Sequence, residues 1–341
     1  MKQRCALIRQ LVVATAVLLL AVQTVPCPWA SASDNGLLSE LRSVPYKIVY
    51  ETYRNDNWEL FMISADGSDR VNLTRTPDVH ELYPHVSPDG TKVSFVVDEG
   101  EGESKSRNVY YMKLDGSGRK LVARNARQPF WSPDGRAIAY LKGEFEKFTY
   151  WSPATKEIMI YDVTTGRHRE HPNRKIEHLF SPCWSTCGKW FLATVHGGMG
   201  YRHTNLVIEV EGTKVFDLGI GGCRPDVGPD GTKVAWTPTD WALRVGDLDL
   251  SGPKPKVTGR RDVVISKKPI KVYHVDWSPD GRYIAFCRGP AKKRLGLAPE
   301  GVGARPKDWN LCVADVTQKN CWVPITTDGM SNKEPDWVNR Y

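Results

Sequence analysis

Residues 272–286, Val272-Tyr-His-Val-Asp-Trp-Ser-Pro-Asp-Gly-Arg-Tyr-Ile-Ala-Phe286, decide the fold of this chain. Ser278-Pro279-Asp280-Gly281 has turn chemistry, because proline presets φ at the second turn position and glycine accepts the positive φ near the end. The flanking residues are mostly β-branched or aromatic, as strands prefer. The stretch therefore predicts a β-hairpin: strand, tight turn, strand.

This hairpin recurs along the chain. Clear copies are Val86–Phe95, Trp131–Tyr140 and Val227–Trp236; a degenerate copy is Trp184–Ala193, and a truncated one is Pro335–Trp337. The Trp or Val before the turn stands at 86, 131, 184, 227, 277 and 337, so the intervals are 45, 53, 43, 50 and 60 residues. Self-similarity at this period is typical of propeller blades.

Each repeat predicts four strands, A to D. Strand A ends at the Trp or Val, strand B follows the turn, and strand C comes after a variable loop. The predicted C strands are Asn108–Leu114, Glu157–Val163, Asn205–Val210, Ala242–Leu248 and Asn310–Val316. The first unit shows three strands, and Glu334–Val338 supplies the fourth. We therefore predict an all-β fold, a six-bladed β-propeller of four-stranded antiparallel blades over 46–341, closed by its N- and C-terminal strands.

The first 32 residues are predicted to be a secretory signal peptide. Lys2, Arg4 and Arg9 form a basic region, residues 11–22 are an apolar run too short to span a bilayer comfortably, and Ala30-Ser31-Ala32 fits a cleavage site. Residues 33–45 are a polar lead-in without periodicity. We expect an exported monomer, in the periplasm or outside the cell, with no transmembrane segment once the signal is removed.

Charge and cysteine content narrow the classes of partner. The chain carries +8, and three of these charges lie in the signal, which leaves about +5. So small an excess of positive charge does not argue for a nucleic-acid partner, and export argues against one. Six cysteines remain after processing, and an exported chain can keep disulfides. Cys312 and Cys321 flank a short hairpin and suggest a cross-strand bridge; the sequence leaves the other pairings open.

A family resemblance follows from these residues. Tyr53-Arg-Asn-Asp-Asn-Trp-Glu-Leu-Phe-Met-Ile-Ser-Ala-Asp-Gly-Ser68, with the repeated Trp-Ser-Pro-Asp-Gly, resembles the WD40-like (PD40) repeats of TolB-type β-propellers. The resemblance covers nearly all of residues 46–338. The TolB family carries an α/β domain before its propeller, and residues 33–45 leave no room for one. The resemblance therefore implies the TolB-like propeller alone.

The predicted loops divide the propeller into two unlike ends. The A–B and C–D turns are short and share one end, which we call the short-turn face. The B–C and D–A connections are longer and share the other end, the long-loop face, where binding residues usually lie. Seven of the eight histidines fall in or beside these connections: His80, His85, His171, His178, His196, His203 and His274. They predict either a metal or acid–base cluster, or locally hydrogen-bonded surface histidines.

The most unusual connection is His196-Gly-Gly-Met-Gly-Tyr-Arg-His203. Its glycines would let a ligand approach the backbone, while Tyr201, Arg202 and His203 supply stacking, charge and a proton carrier. A flexible glycine-rich loop is the alternative. It is not a phosphate-binding loop, because it joins two strands and begins no helix.

Two further features add charge to the long-loop end. Arg224 with Asp226, and His274 with Asp276, stand at the starts of two A strands, so they are expected to converge near the axis as a site or as inter-blade pairs. Residues 254–271 and 288–308 are basic runs of net charge +6 and +4, the second containing Lys292, Lys293 and Arg294. They would attract acidic glycans or lipid head groups, or form a solvated surface.

Two functions fit these residues. The first is a non-catalytic scaffold, without a required cofactor, that binds an envelope protein or an acidic polysaccharide through Tyr201, Arg202, His203, Arg224, Lys292, Lys293 and Arg294. The second is a metal-assisted polysaccharide lyase, as a resemblance to oligogalacturonate lyases implies. There His196, His203 and His274 would hold a divalent metal, and Arg224 would neutralise a substrate carboxylate. No Gly-x-Ser-x-Gly motif indicates a peptidase.

Overall fold

The computed structural model describes residues 34–151, 153–294, 297–301 and 306–339. The predicted signal peptide lies outside them. The described residues form six four-stranded antiparallel sheets and one extra two-stranded hairpin. The predicted six-bladed propeller is therefore confirmed. Among these residues no helix has the length and apolar character needed to cross a membrane.

The strands follow one another around the ring. Blade 1 begins with β1 (Lys47–Arg54), β2 (Asn57–Ser64) and β3 (Val71–Asn72). Blade 2 has β4 (His80–Val86), β5 (Lys92–Glu99), β6 (Ser106–Lys113) and β7 (Lys120–Ala123), with a short 3-10 turn at Gly102–Ser104. Blade 3 has β8 (Ala126–Trp131), β9 (Ala137–Gly143), β10 (Thr155–Asp162) and β11 (His168–Glu170).

The second half continues in the same order. Blade 4 has β12 (Leu179–Trp184), β13 (Trp190–Gly198), β14 (Tyr201–Glu209) and β15 (Val215–Asp217). Blade 5 has β16 (Cys223–Val227), β17 (Lys233–Thr239), β18 (Ala242–Asp249) and β19 (Lys256–Ile265). Blade 6 has β20 (Ile270–Trp277), β21 (Tyr283–Pro290), β24 (Asn310–Asp315) and β25 (Trp322–Pro324); the hairpin β22 (Lys292–Arg294) and β23 (Leu297–Gly301) lies between β21 and β24.

The two ends of the chain close blade 1. The last strand, β26 (Ser331–Val338), pairs antiparallel with β1 from Lys47 opposite Val338 to Tyr53 opposite Ser331. Closing the ring in this way gives β1 a paired strand on both sides and makes β26 the innermost strand of blade 1. The predicted closure is confirmed, and the strand begins three residues earlier than Glu334.

The repeated turn locks each A–B hairpin. In blade 6, Ser278 N donates to Tyr283 O at 2.9 Å, and the Ser278 hydroxyl donates to an Asp280 carboxylate oxygen at 2.6 Å. Arg282 N donates to the same carboxylate at 3.0 Å. Gly281 has φ of 69°, which other residues rarely adopt. The Ser-Pro-Asp-Gly sequence thus specifies the hairpin through side-chain contacts to its own backbone.

Two sequence expectations need correction. The lead-in contains a helix, α1 (Asp34–Leu41), because Leu37 and Leu41 share one helical face and are buried against blades 1 and 6. Cys312 and Cys321 do not meet across the hairpin. Cys312 lies opposite Pro324, and the two cysteines pack in different hydrophobic clusters, so the register separates their sulfur atoms.

Candidate functional site

The innermost strand of each blade carries a bulge at the same place. One residue there has left-handed backbone with φ between 46° and 59°. The six are Tyr83, Gln128, Ser181, Arg224, His274 and Glu334. Strand pairing changes register at each of them, and a bulge re-aims the side chains around it. We call them the bulge ring; with the residues that follow, they line a central cavity of about 50 Å³.

Below the bulge ring, toward the short-turn face, three carboxylates join successive blades. Asp226 accepts a hydrogen bond from Trp277 N at 3.0 Å, and Asp276 accepts one from Trp337 N at 2.7 Å. Asp336 accepts one from Val86 N at 2.8 Å. Each of these three latch aspartates therefore ties its own inner strand to that of the next blade. The expected convergence of Asp226 and Asp276 near the axis is found.

The other three blades use different groups at the latch position. His85 of blade 2 contacts the Asp336 carboxylate through Nδ1 at 2.9 Å. In blade 3 the position is held by Phe130, which is buried in the core. In blade 4, the Cys183 thiol donates to Pro225 O of blade 5 at 3.3 Å. The carboxylates are therefore confined to blades 5, 6 and 1.

Burial raises the pKa of two of the latch aspartates, Asp226 and Asp276. It raises the pKa of Asp226 to about 7, with a contribution from the nearby Asp336 carboxylate. Burial, Asp336 and Asp226 raise the pKa of Asp276 well above its ordinary value. Burial alone would lower the pKa of His85, but the hydrogen bond and charge of Asp336 raise it. The cluster consequently holds protons near neutral pH.

Arg224 is the most unusual member of the bulge ring. Its guanidinium lies 4.2 Å from the ring centroid of Tyr273 and 5.8 Å from that of Phe180. One terminal nitrogen donates to Cys223 Sγ at 3.0 Å. In the part of the chain that the structure describes, Nε is buried without a hydrogen-bond partner, and the guanidinium forms no ion pair. The result is a partly buried cation between two aromatic rings. Burial alone would lower the pKa of Arg224, but the neighbouring Cys223, Tyr273 and Glu334 raise it.

His274 and Glu334 form a closed arrangement on the channel wall. His274 Nε2 contacts a Glu334 carboxylate oxygen at 2.7 Å, and Nδ1 contacts Cys287 Sγ at 2.9 Å. Burial lowers the pKa of His274 to about 4, so the ring is neutral. The neutral tautomer that fits these contacts carries its proton on Nε2, which donates to the Glu334 carboxylate, and its Nδ1 is an acceptor. Both ring nitrogens are thus engaged, and a metal ion at His274 would have to displace one partner.

The glycine-rich segment 196–203 is an ordered hairpin rather than a loop. β13 and β14 extend until Gly198 pairs with Tyr201, which leaves a two-residue turn at Met199 and Gly200. Both turn residues have positive φ, as this tight hairpin turn requires. The pairing places His196 directly opposite His203, with their Nδ1 atoms 3.0 Å apart.

The two exposed histidines of this hairpin are neutral. Burial and the charges of His203 and His178 lower the pKa of His196. Burial and the charge of Arg224 lower the pKa of His203. The second effect links the hairpin electrostatically to the bulge ring. Neutral imidazoles can accept hydrogen bonds or bind a metal.

A loop of blade 3 presents aromatic side chains beside this hairpin. Residues 144–154 contain Phe145, Tyr150 and Trp151, which are 50%, 61% and 49% exposed. Buried Arg127 fixes the loop, because its two terminal nitrogens donate to Trp151 O at 2.5 Å and Thr149 O at 2.8 Å. The sequence predicts a long B–C connection at Gly143–Lys156 but not a role for its side chains, although four aromatic residues within 145–151 are a visible signal.

These groups form a continuous strip on the long-loop face. The Trp151 ring lies 6.3 Å from that of His196, and the His203 ring lies 6.0 Å from that of Phe180. Phe180 in turn faces Arg224. We call this set the binding strip: Trp151, His196, His203, Phe180, Arg224 and Tyr273. The structure therefore brings three of the predicted site residues together, and His274 follows Tyr273 on the channel wall.

The other predicted site residues lie apart or in different roles. Tyr201 donates through its hydroxyl to Val215 O at 3.4 Å, and Arg202 is exposed. Lys292 is exposed at the start of β22, whereas the side chains of Lys293 and Arg294 lie outside the described residues. Among the described residues, no group of three or more His, Cys, Asp or Glu side chains is arranged to hold a metal ion. The metal site remains a prediction.

Comparisons with known proteins address the fold. No protein-family model and no curated protein matches the chain. The solved structure of TolB from Acinetobacter baumannii matches with a TM-score of 0.60 and 18% identity, over 86% of this chain and 66% of that chain. The chain thus spans slightly less than two thirds of the TolB chain.

A second solved structure that matches the chain is not a TolB protein. A propeller from a nidogen–laminin complex matches with a TM-score of 0.57 and 8% identity, over 87% of this chain and 99% of that chain. At these identities the likeness shows the fold alone. The resemblance to TolB-type propellers that the repeats predict is confirmed at that level.

Proposed function

We propose that this chain is an exported, non-catalytic binding scaffold whose long-loop face takes up an acidic glycan. Arg224 carries the proposal. Its guanidinium is partly buried and makes no direct ion pair with a described residue, so a ligand carboxylate or sulfate would fill that place. The planar guanidinium can donate two parallel hydrogen bonds to such a group. Tyr273 and Phe180 hold it at the long-loop end of the channel.

The rest of the binding strip suits a sugar chain. Sites for small ligands combine apolar or aromatic walls with a few directed polar groups. Trp151 offers a half-exposed aromatic face, and Arg127 holds its backbone in place, which limits the entropy lost on binding. The neutral pair His196 and His203 can donate and accept hydrogen bonds from hydroxyl groups. An acidic protein segment would present the same carboxylates without ring faces for stacking.

The test is a calorimetric titration of the purified chain with oligouronates, a heparin-like oligosaccharide and poly-glutamate of matched charge. Binding of the glycans with little or no binding of poly-glutamate supports the proposal. Equal binding of poly-glutamate would instead indicate an acidic protein partner, and binding of none would remove the proposal. Trp151→Ala should weaken glycan binding about tenfold, because stacked aromatic anchors dominate such contacts. Leu121→Ala, at another half-exposed apolar residue, is the matched control.

The basic segment Lys292–Arg294 has its own test. Lys292→Glu, Lys293→Glu and Arg294→Glu together should reduce retention on a heparin-like column, because they reverse three positive charges. Unchanged retention would remove this segment from the proposed site and leave the binding strip unaffected.

A second candidate function is supported by the histidine hairpin. His196 and His203 are adjacent and neutral, the form in which imidazole binds a metal ion, and Arg224 is placed to neutralise a carboxylate. These features suit a metal-assisted polysaccharide lyase. Elemental mass spectrometry of the purified chain, before and after chelation, tests it. About one tightly held metal per chain, together with metal-dependent cleavage of a uronate polymer, would favour the enzyme. The absence of both metal and cleavage would favour the non-catalytic binding scaffold.

A further inference from the structure

The outer strand of blade 5 is much longer than its counterparts. Within the described residues, the outer strands β3, β7, β11, β15 and β25 contain 2, 4, 3, 3 and 3 residues, whereas β19 contains 10. Short edge strands prevent other chains from adding to a sheet. Blade 5 lacks the protection of a short outer strand. β19 bulges at residues 259–260 and 263, and residues 256–258 are the regular stretch that its open half offers to a partner strand.

One half of this edge is already covered. Asn320 of blade 6 donates from its backbone nitrogen to Val263 O at 2.7 Å, and its side-chain oxygen accepts from Ile265 N at 2.7 Å. Those contacts show that the edge of β19 forms strand-like hydrogen bonds with a neighbour. Residues 256–261 continue beyond Asn320, and all of them except Val257 are exposed.

The open half is strongly basic. Arg260 and Arg261 are exposed, and Lys254, Lys267 and Lys268 flank the strand as further exposed cations. Lys256 contacts Asp249 at 3.3 Å. Arg260 donates only to the Val257 carbonyl oxygen, at 3.3 and 3.4 Å. The first basic run of the sequence is therefore concentrated along one sheet edge.

We infer that β19 is a docking edge for an acidic, extended segment of a partner protein, which adds to blade 5 as a fifth strand. Strand addition gives affinity through backbone hydrogen bonds, and side chains give specificity. The cations along residues 254–268 select an acidic segment by charge. This surface lies at the rim of the propeller, apart from the binding strip, so the inference is independent of the proposed glycan site.

The test is fluorescence anisotropy with the full exported chain and a labelled peptide of alternating Glu and Val, about six residues long to match the open residues 256–261. We expect saturable binding that weakens as ionic strength rises from about 0.01 to about 0.15 M, where the Debye length falls from about 30 to about 8 Å. The same peptide with alternate backbone nitrogens methylated keeps every charge but cannot donate the backbone N–H hydrogen bonds that strand pairing requires. It should bind at least about tenfold more weakly.

Variants locate the binding. The double variant Arg260→Glu with Arg261→Glu should weaken the Glu–Val peptide about tenfold or more. Lys120→Glu with Arg124→Glu makes the same charge change at the short outer strand β7 and should leave binding unchanged. Thermal melts show whether each variant is folded. If the methylated peptide binds as tightly as the unmethylated one, or if the β7 variant loses as much peptide affinity as the β19 variant, the inference is overturned. The cations would then attract the peptide without specificity, or they would only protect a solvated sheet edge.

Discussion

The two ends of the central channel are built on the same six strands but use their side chains differently. Toward the short-turn face, residues recur in several blades. The Ser-Pro-Asp-Gly turns of blades 2, 3 and 6 and the latch aspartates of blades 5, 6 and 1 bond to the backbone of their own or the next blade. Toward the long-loop face, the bulge ring holds six different residues. Arg224 and the aromatic loop of blade 3 occur once in the ring.

This difference separates structural from functional residues. A group that repeats and satisfies the backbone is explained by the fold. A charged group that occurs once and makes no direct ion pair among the described residues, such as Arg224, requires another explanation, and a ligand provides one. The following changes test the division, in order of decreasing expected effect.

Removal of the closing strand should have the largest effect. A chain lacking residues 331–341 loses β26, the Asp336 latch and the contact of Glu334 with His274. It also leaves β1 with an open edge, so we expect loss of cooperative folding or a melting temperature lowered by at least about 10 °C. Circular-dichroism melts measure this. A chain ending at Val338 is the control, and an unchanged melt of the shorter chain would contradict closure.

Arg224→Met should separate binding from stability. It removes the partly buried cation but keeps an unbranched side chain between Tyr273 and Phe180, so we expect at least about a tenfold loss of oligouronate affinity. The melting temperature should change by no more than a few degrees, because methionine keeps the apolar contacts and Arg224 makes no direct ion pair among the described residues. Arg169→Met on the short-turn face is the control. A loss of stability with unchanged affinity would show that Arg224 is a structural residue.

Asp226→Asn and Asp230→Asn should respond to pH in opposite directions. Burial raises the pKa of Asp226 to about 7, so its stabilising contribution is complete at acid pH and is lost as pH rises through about 7. Asparagine resembles the protonated form. Asp226→Asn should therefore raise the melting temperature at pH 8 by a few degrees, and the gain should shrink at pH 5.

Asp230 lies four residues later, in the turn. Burial alone would raise its pKa, but hydrogen bonds from Thr232 outweigh this effect and lower it. Its stabilising contribution is present above the unfolded pKa and is lost as pH falls through the lower folded value. Asp230→Asn should therefore destabilise the chain at pH 8, and less so in acid. The same pH trend for both variants would contradict the assignment.

Ser278→Ala should have the smallest effect. The change removes the hydroxyl that donates to Asp280 and accepts from Tyr283 N at 2.8 Å. A typical cost is about 1 kcal/mol of unfolding free energy, with glycan affinity unchanged. Denaturant melts and calorimetry measure the two quantities. Weakened glycan binding in a folded Ser278→Ala variant would contradict the assignment of structural residues to one end of the channel and binding residues to the other.

The sequence predicted the repeated end well and the other end poorly. Pro279 and Gly281 fix local backbone geometry, so the hairpins and the ring followed from short-range chemistry. The hairpin of His196 and His203 was interpreted as a loop, because glycines conceal strand propensity while Met199 and Gly200 allow a tight turn. The proline after the bulge in five inner strands was an unused signal. The environment of Arg224 depends on contacts between blades. A local sequence pattern cannot predict such contacts.

The most direct test of the account is hydrogen–deuterium exchange of the full chain with and without a bound oligouronate. We predict slower exchange in residues 144–154 and 196–204 and around Arg224, with no change in the Pro-Asp-Gly turns of the short-turn face. Protection confined to the short-turn face, or uniform protection around the ring, would contradict the claim that the unrepeated end of the channel carries the function.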